Sequence, residues 1–374
     1  MQNFLTAAGY ALTLAAALYA LAALVCRPRT WRPRPGAAAA GLPVTVLKPL
    51  CGAEPRLEAN LATLCEQTGC DYQLVFGVRD PDDPAIAVAR RLMERYPAQD
   101  IALVVDSRVH GSNFKVSNLV NMAKAARHPW LVIADSDIAV GPDYLAKVTA
   151  PLADPGVGIV TCLYRGRPLG SVWSRLGAQF IDTWFAPSVR VTSAFGGSCF
   201  GFGATIALRA ATLDAIGGFH ALRNRLADDY MLGQLTRERG LATVLSGVCV
   251  TTDVTESDFR SLWSRERRWM QTIRSINPVG YAFTFVTFTF PMLAAGLLLA
   301  PTGWNLGCAA LGMAARLGLH LRRPAAGLAA PGHPGYAPVR DCLLLLTWLG
   351  GFAGSTARWR QQMVPIDDPA EPVA

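Results

Sequence analysis

From Phe4 to Val25 the chain reads "FLTAAGYALTLAAALYALAALV", with no charged residue in it. At 1.5 Å per residue, about 22 residues cross a hydrocarbon core of roughly 30 Å, so the block predicts a transmembrane helix. Arg27, Arg29, Arg32 and Arg34 follow at once. A cleaved secretion signal carries its basic residues ahead of a shorter apolar core. Residues 1–26 are therefore expected to be an uncleaved anchor that leaves the following domain on the cytoplasmic side.

Residues 27–42 form a basic, Ala/Gly-rich linker, and from Pro43 the apolar runs shorten and alternate with amphipathic stretches. "VTVLKPL", "YQLVFGVRD", "IALVVD" and "WLVIAD" read as buried strands; "LEANLATLCEQ", "AIAVARRLMERYP" and "KVSNLVNMAKAA" read as helices between them. This order predicts an α/β domain over residues 43–275, Rossmann-like, with a mostly parallel sheet and crossover helices.

After Arg274 two further apolar blocks, 279–300 and 304–321, are separated by "PTG" and predict a transmembrane hairpin. Arg316, inside the second arm, is expected to snorkel to the cytoplasmic interface beside Arg322 and Arg323. A third block, 342–354, is short for a span and reads as re-entrant or interfacial. Residues 276–357 thus form a C-terminal membrane region, and 358–374 a polar tail.

Composition agrees. Of 374 residues, 51% are hydrophobic and 17% charged, against roughly 45–50% and 25% for soluble domains, so a membrane protein with one sizeable globular domain is expected. The net charge of +8 suits anionic partners without choosing among nucleic acid, lipid head groups and phosphorylated small molecules. The basic residues gather at the membrane borders rather than in an aromatic-studded groove, which argues against nucleic acid. Nine cysteines without a CxxC pair and five scattered histidines point to free thiols of a reducing compartment and against structural zinc.

Several polar clusters carry candidate chemistry. Asp80, Asp82 and Asp83 follow the second strand, where open sheets bind ligands, although a plain turn explains them equally. Asp135-Ser136-Asp137 ends the fourth strand. Two carboxylates so close repel each other, and a divalent cation shared with a diphosphate relieves this; a polar turn is the alternative. Lys115, Asn118 and Asn121 lie within two turns of a helix, a lysine for phosphate and amides for sugar hydroxyls, or else a solvated face. Asp228 and Asp229 begin a helix: one suits a cap, and the other is a candidate general base. In "SRERRWMQTIR", Arg265, Arg268 and Trp269 share a helical face, and a membrane-interface belt, with Arg274 as its clearest anchor, competes with a catalytic role. Phe195, Phe200 and Phe202 among glycines suit either an apolar acceptor wall or a packed turn.

In sequence order, Asp80, Asp135-Ser136-Asp137, Asp228-Asp229 and "RERRW" resemble the D, D, D, (Q/R)xxRW series of inverting GT-A glycosyltransferases of family 2 and its relatives. More narrowly, "VTVLKPLCGAEPRLEANL", "VRDPDDPA", "NFKVSNLVN", "ADDYMLG" and "RERRW" are similar to the ceramide glucosyltransferase family (families 2 and 21). Length, membrane layout and Ala/Arg/Pro-rich composition most resemble its hopanoid-biosynthesis branch. The resemblance implies a GT-A catalytic domain. It implies that Asp80 contacts the uracil of a UDP-sugar, with Asp228 also on the donor side, and that Asp135 and Asp137 hold Mg2+ or Mn2+ on the diphosphate. Asp229 would be the base, and Arg265, Arg268 and Trp269 would close the site. The implied activity is inverting transfer from a UDP-sugar to a membrane-lipid hydroxyl, with UDP-N-acetylglucosamine and bacteriohopanetetrol favoured. UDP-glucose and ceramide are the alternative, and an inactive membrane scaffold is the remoter one. The implied location is a bacterial inner membrane, multi-pass, with the catalytic domain cytoplasmic.

Overall fold

The computed structural model describes residues 1–32, 42–197, 200–322 and 332–354, and the backbone of two short antiparallel strands, Thr356–Trp359 and Gln362–Pro365. Most of the Ala/Gly linker, Arg323 and the tail beyond residue 365 lie outside the described residues. The chain divides into two compact units, one of residues 29–165 and 197–253, the other of 1–28, 166–196 and 254–374.

The first unit is built on a sheet with strands β1 (Val44–Pro49), β2 (Tyr72–Val78), β3 (Asp100–Val105), β4 (Trp130–Ala134), β5 (Ile138–Ala139), β6 (Val157–Pro168), β7 (Thr205–Arg209) and β8 (Ala242–Val254). The spatial order is β3-β2-β1-β4-β7-β6-β8-β5. The β3-β2-β1-β4 half is parallel, as the sequence predicts. Beyond it the sheet is mixed: β7 runs antiparallel to β4 and to β6, and β5 antiparallel to β8. Helices still separate β5, β6, β7 and β8 along the chain, so what changes in this half is strand direction and not the β-α alternation.

β1 and β2 are buried along nearly their whole length, the mark of strands covered on both faces. Val44, Val46, Leu74 and Phe76 pack with the helices Leu57–Cys65, Ala85–Arg95 and Tyr144–Thr149. Leu47 and Val75, one position out of phase, face the opposite core with the helices Phe114–Ala123 and Asp228–Glu238.

In the second unit the helix Gln2–Val25 buries Gly9, Thr13, Ala16, Ala17, Ala20 and Ala23 and leaves Phe4, Leu14 and Leu18 exposed. Its small-residue stripe permits close approach to Thr289–Leu299: a Cβ added at Gly9 would lie 2.8 Å from the Gly296 carbonyl oxygen. Among the described residues it is the one single helix long and apolar enough to cross a membrane.

The predicted first hairpin arm is not one straight helix. It divides into Pro278–Thr287 and Thr289–Leu299, bent by 75°. Pro291 lacks an N–H, and its ring clashes with the carbonyl four residues back, at Thr287, where the first segment stops. Arg316 does not snorkel. It is buried, pairing with Asp341 at 2.6 Å and donating to Thr183 Oγ1 at 3.2 Å. Asp341 belongs to the helix Ala337–Gly351, which contains most of the third apolar block, so a buried charge pair replaces the expected interfacial arginine.

Candidate active site at the carboxyl edge of the sheet

The parallel strands end on one edge of the first unit, and the acidic motifs follow β2 and β4 there, where open sheets bind ligands. Asp80 is exposed, its Oδ1 accepting the Asp82 N–H at 3.0 Å. Asp83 crosses to the loop after β1, accepting the Gly52 N–H at 2.8 Å. The turn reading holds for both residues, and Asp80 stays exposed at the rim of the turn.

Lys115 is placed by local chemistry. Asn113 caps its helix, accepting the Val116 N–H, while Asn113 Nδ2 donates to the Arg225 carbonyl at 2.8 Å. Gly111 meets the same loop so closely that a Cβ there would lie 2.5 Å from the Arg223 carbonyl oxygen. These bonds set the first turn of the helix against the loop leading into Asp228 and Asp229. Lys115 Nζ lies 2.7 Å from Asp135 Oδ1 and 3.9 Å from Asp228 Oδ2. Burial opposes its charge, but Asp135, Asp228 and Asp229 together hold its pKa above the ordinary lysine value.

Asp228 and Asp229 occupy the first turn of Asp228–Glu238, just inside its N-cap residue, Ala227. Asp229 Oδ1 accepts the first-turn N–H of Tyr230 at 2.8 Å, and its Oδ2 the Gly203 N–H at 2.9 Å. Burial, with the charge of Asp228 beside it, pushes Asp229 up to about 6. Asp228 is raised too, chiefly by burial. A Cβ placed on Gly203 would lie 3.3 Å from Asp229 Oδ2, 3.6 Å from Asp135 Oδ2 and 3.7 Å from Lys115 Nζ. Two carboxylates and one ammonium thus face one point, which a side chain at 203 would occupy.

Asp137 accepts a hydrogen bond from the Thr252 hydroxyl at 2.9 Å. Burial first, then the charges of Asp135 and Glu54, push it up to about 7. Two adjacent carboxylates, one of them raised by its neighbours, fit a hard divalent cation that relieves their repulsion. Among the described residues no three His, Cys, Asp or Glu side chains form a fuller metal cluster. Such a cation would therefore take its other ligands from a diphosphate and water, as Mg2+ commonly does.

Two parts of the cluster escaped the sequence reading. Lys48, the last residue but one of β1, is fully buried and donates to the main-chain carbonyl of Asp135. Burial lowers its pKa to about 8 against the pull of Asp137, Asp135 and Glu54. Glu54 Oε2 accepts from Ser136 Oγ at 3.1 Å. The signal for Lys48 was a lone cation inside an otherwise apolar strand. Asn118 and Asn121 turn inward: Asn118 Nδ2 donates to Gly77 O at 2.8 Å, and Asn121 Nδ2 to Arg108 O at 3.0 Å. Both amides order the ends of β2 and β3.

The "RERRW" residues lie in the second unit, on the helix Phe259–Ile276, which starts with a capping box between Asp258 and Ser261. Arg265 pairs with Glu256 at 2.8 Å, and its guanidinium lies 5.4 Å from the centre of the Trp269 ring. Its Nε and Nη2 are buried with no hydrogen-bond partner among the described residues. Trp269 also packs edge-on to Phe180 at 5.1 Å, next to a π-helical turn, Ile181–Phe185. Arg268 is half-buried. Arg274 donates from Nη1 to Phe352 O at 2.5 Å and from Nη2 to Gly354 O at 2.9 Å. Arg267 donates to Gly350 O at 3.0 Å, so both arginines satisfy carbonyls ending the helix Ala337–Gly351. Phe195 is 79% exposed, and Phe200 packs on Tyr230 at 5.8 Å.

The chain is similar to known glycosyltransferases in sequence and in fold. Ceramide glucosyltransferase 1 of Caenorhabditis elegans is 25% identical over 229 residues, 61% of this chain and 49% of that protein. Ceramide glucosyltransferase 3 of the same organism is 26% identical over 234 residues, 61% of this chain and 50% of that one. The chain spans about half the length of these curated relatives. Among solved structures, a mannosyltransferase from Pyrobaculum calidifontis, in complex with GDP-Man and Mn2+, aligns over 93% of this chain and 99% of its own, with a TM-score of 0.52 and 21% identity. At that identity the likeness shows the fold, which is GT-A-like with a mixed sheet. The family model for Glycosyl transferase family 21 matches residues 8–370, nearly the whole length, and the chain belongs to that family.

Proposed function

We propose that this protein is a membrane-anchored glycosyltransferase that moves a sugar from a UDP-sugar to the hydroxyl of a membrane lipid with inversion at the anomeric carbon. The observation that carries the proposal is the convergence of Asp135, Asp229 and Lys115 on one point beside Gly203. A cation-binding carboxylate, a candidate base and a fixed positive charge are the components a single displacement at a sugar diphosphate needs.

Asp80 receives the uracil, and Lys115 and Asp228 position the donor. Asp135 and Asp137 hold Mg2+ or Mn2+, which when bound neutralises charge on the diphosphate. Asp229, held by the Gly203 N–H, takes the proton of the attacking lipid hydroxyl. Its elevated pKa makes it a stronger base than an ordinary aspartate while leaving it ionised at neutral pH. By the resemblance of "RERRW" to the (Q/R)xxRW series, Arg265, Arg268 and Trp269 are assigned to the departing diphosphate. The helix Gln2–Val25 and the apolar C-terminal helices keep the protein on the bacterial inner membrane, from which the acceptor's head group enters.

For the acceptor, the layout and composition favour a polyhydroxylated hopanoid such as bacteriohopanetetrol, with UDP-N-acetylglucosamine as donor. The nematode ceramide glucosyltransferases favour the second reading, UDP-glucose and ceramide. Purified protein incubated with UDP-sugars against both lipids, followed by mass spectrometry of the lipid fraction, decides between them. A glycosylated hopanoid supports the first reading and glucosylceramide the second. Transfer to neither overturns the lipid assignment. Turnover should vanish with a chelator and return with Mg2+ or Mn2+.

A further inference from the structure

Every residue of the Asp135-Ser136-Asp137 turn is held from outside the turn. Lys115 pairs with the Asp135 carboxylate, Lys48 binds the Asp135 main-chain carbonyl, and Glu54 binds the Ser136 hydroxyl. Asp137 is held through its side chain by Thr252 and through its carbonyl by the Asp253 N–H, at 3.0 Å. Of these supports Lys48 is the most costly. A fully buried ammonium gives up its hydration, and an apolar side chain of the same length would fill the space in β1 without that penalty. Its position in the strand, two residues before Leu50, keeps it beneath the turn and out of reach of a diffusing ligand.

We propose that Lys48 is a positioning residue of the nucleotide-sugar site. Its buried charge fixes the backbone of the Asp135-Ser136-Asp137 turn and holds the two carboxylates at the separation at which they share a divalent cation with a diphosphate. Lys115 and Lys48 then divide the work, one meeting ligand and carboxylate, the other locking the main chain below. The inference rests on the function proposed above.

The test uses the full chain purified in detergent, with Mn2+ titrated in the presence of UDP and free metal read by electron paramagnetic resonance. Lys48→Met is expected to weaken Mn2+ binding with UDP by about 10- to 100-fold, the range for groups that orient metal ligands. The KM for the donor should rise more than kcat falls. A second measurement removes the ambiguity of a misfolded variant. In unliganded protein, thermal unfolding of Lys48→Met, Glu54→Gln and the double variant should be non-additive, because Glu54→Gln removes part of the negative charge that Lys48→Met leaves unbalanced. The double variant should therefore unfold at a higher temperature than Lys48→Met alone. Unchanged metal affinity in Lys48→Met, or additive thermal effects, would overturn the role of Lys48. If the wild type itself binds no Mn2+ with UDP, the proposed function fails instead.

Discussion

The ammonium of Lys115 sits 2.7 Å from Asp135 Oδ1 and, on its other side, 3.9 Å from Asp228 Oδ2. One lysine thus joins the acidic motif after β4 to the one that opens the helix Asp228–Glu238. Hydrogen bonds between charged groups are worth about 1.5–3 kcal/mol. Lys115→Met is accordingly expected to lower kcat/KM for the donor by roughly 10- to 150-fold, measured by initial rates at varied UDP-sugar. Wild-type rates would remove Lys115 from the site.

Asp229→Asn preserves shape and removes the base. A general base contributes about 10²- to 10⁴-fold, so transfer should fall by that factor while UDP-sugar affinity, read by calorimetry, stays near wild type. A loss of donor affinity of the same size would instead make Asp229 a donor ligand.

pH separates stability from activity here. Asp137 is pushed up to about 7 and Asp229 up to about 6, chiefly by burial, above the roughly 3.9 of an unfolded aspartate. A carboxyl whose folded pKa is raised stabilises the fold while protonated and loses that contribution as pH rises through the folded value. The unliganded protein should therefore lose thermal stability between about pH 4 and 7, while kcat/KM rises through about pH 6 as Asp229 ionises. Mn2+ with UDP should restore stability at pH 7. A stability curve rising over that interval contradicts the assignment.

The glutamate inside "RERRW" has a structural task. Glu266 forms a two-pronged pair with Arg340, at 2.7 and 2.5 Å, and both side chains are buried. Removing one partner of a buried pair costs about 3–5 kcal/mol, because the other charge is stranded. Arg340→Met should lower the thermal midpoint strongly, and Arg340→Met with Glu266→Gln should recover much of the loss. Equal destabilisation in both variants would show that the arginine contributes packing alone.

Much of the first unit could be read along the chain. Strands β1 to β4 and their helices appear where apolar runs and amphipathic periods place them, because each is specified by burial on a local repeat. The acidic positions at the ends of β2 and β4 were legible for the same reason, since a polar residue that ends a buried strand must emerge at the sheet edge. The helix carrying "RERRW" was legible too, but the partners of its arginines were not. Arg267 and Arg274 answer the carbonyls of a helix more than seventy residues further along.

What the sequence determined by itself was therefore the α/β alternation, the N-terminal apolar helix and the order of the charged motifs, all functions of nearest neighbours along the chain. Tertiary structure decided how charges were matched. Arg316 found Asp341 rather than the interface, Arg340 found Glu266, and Lys48 found the Asp135 carbonyl from within an apolar strand. A buried charge is tolerated only where an opposite charge or a dipole meets it. That partner is chosen by distance in space, which a linear pattern does not encode.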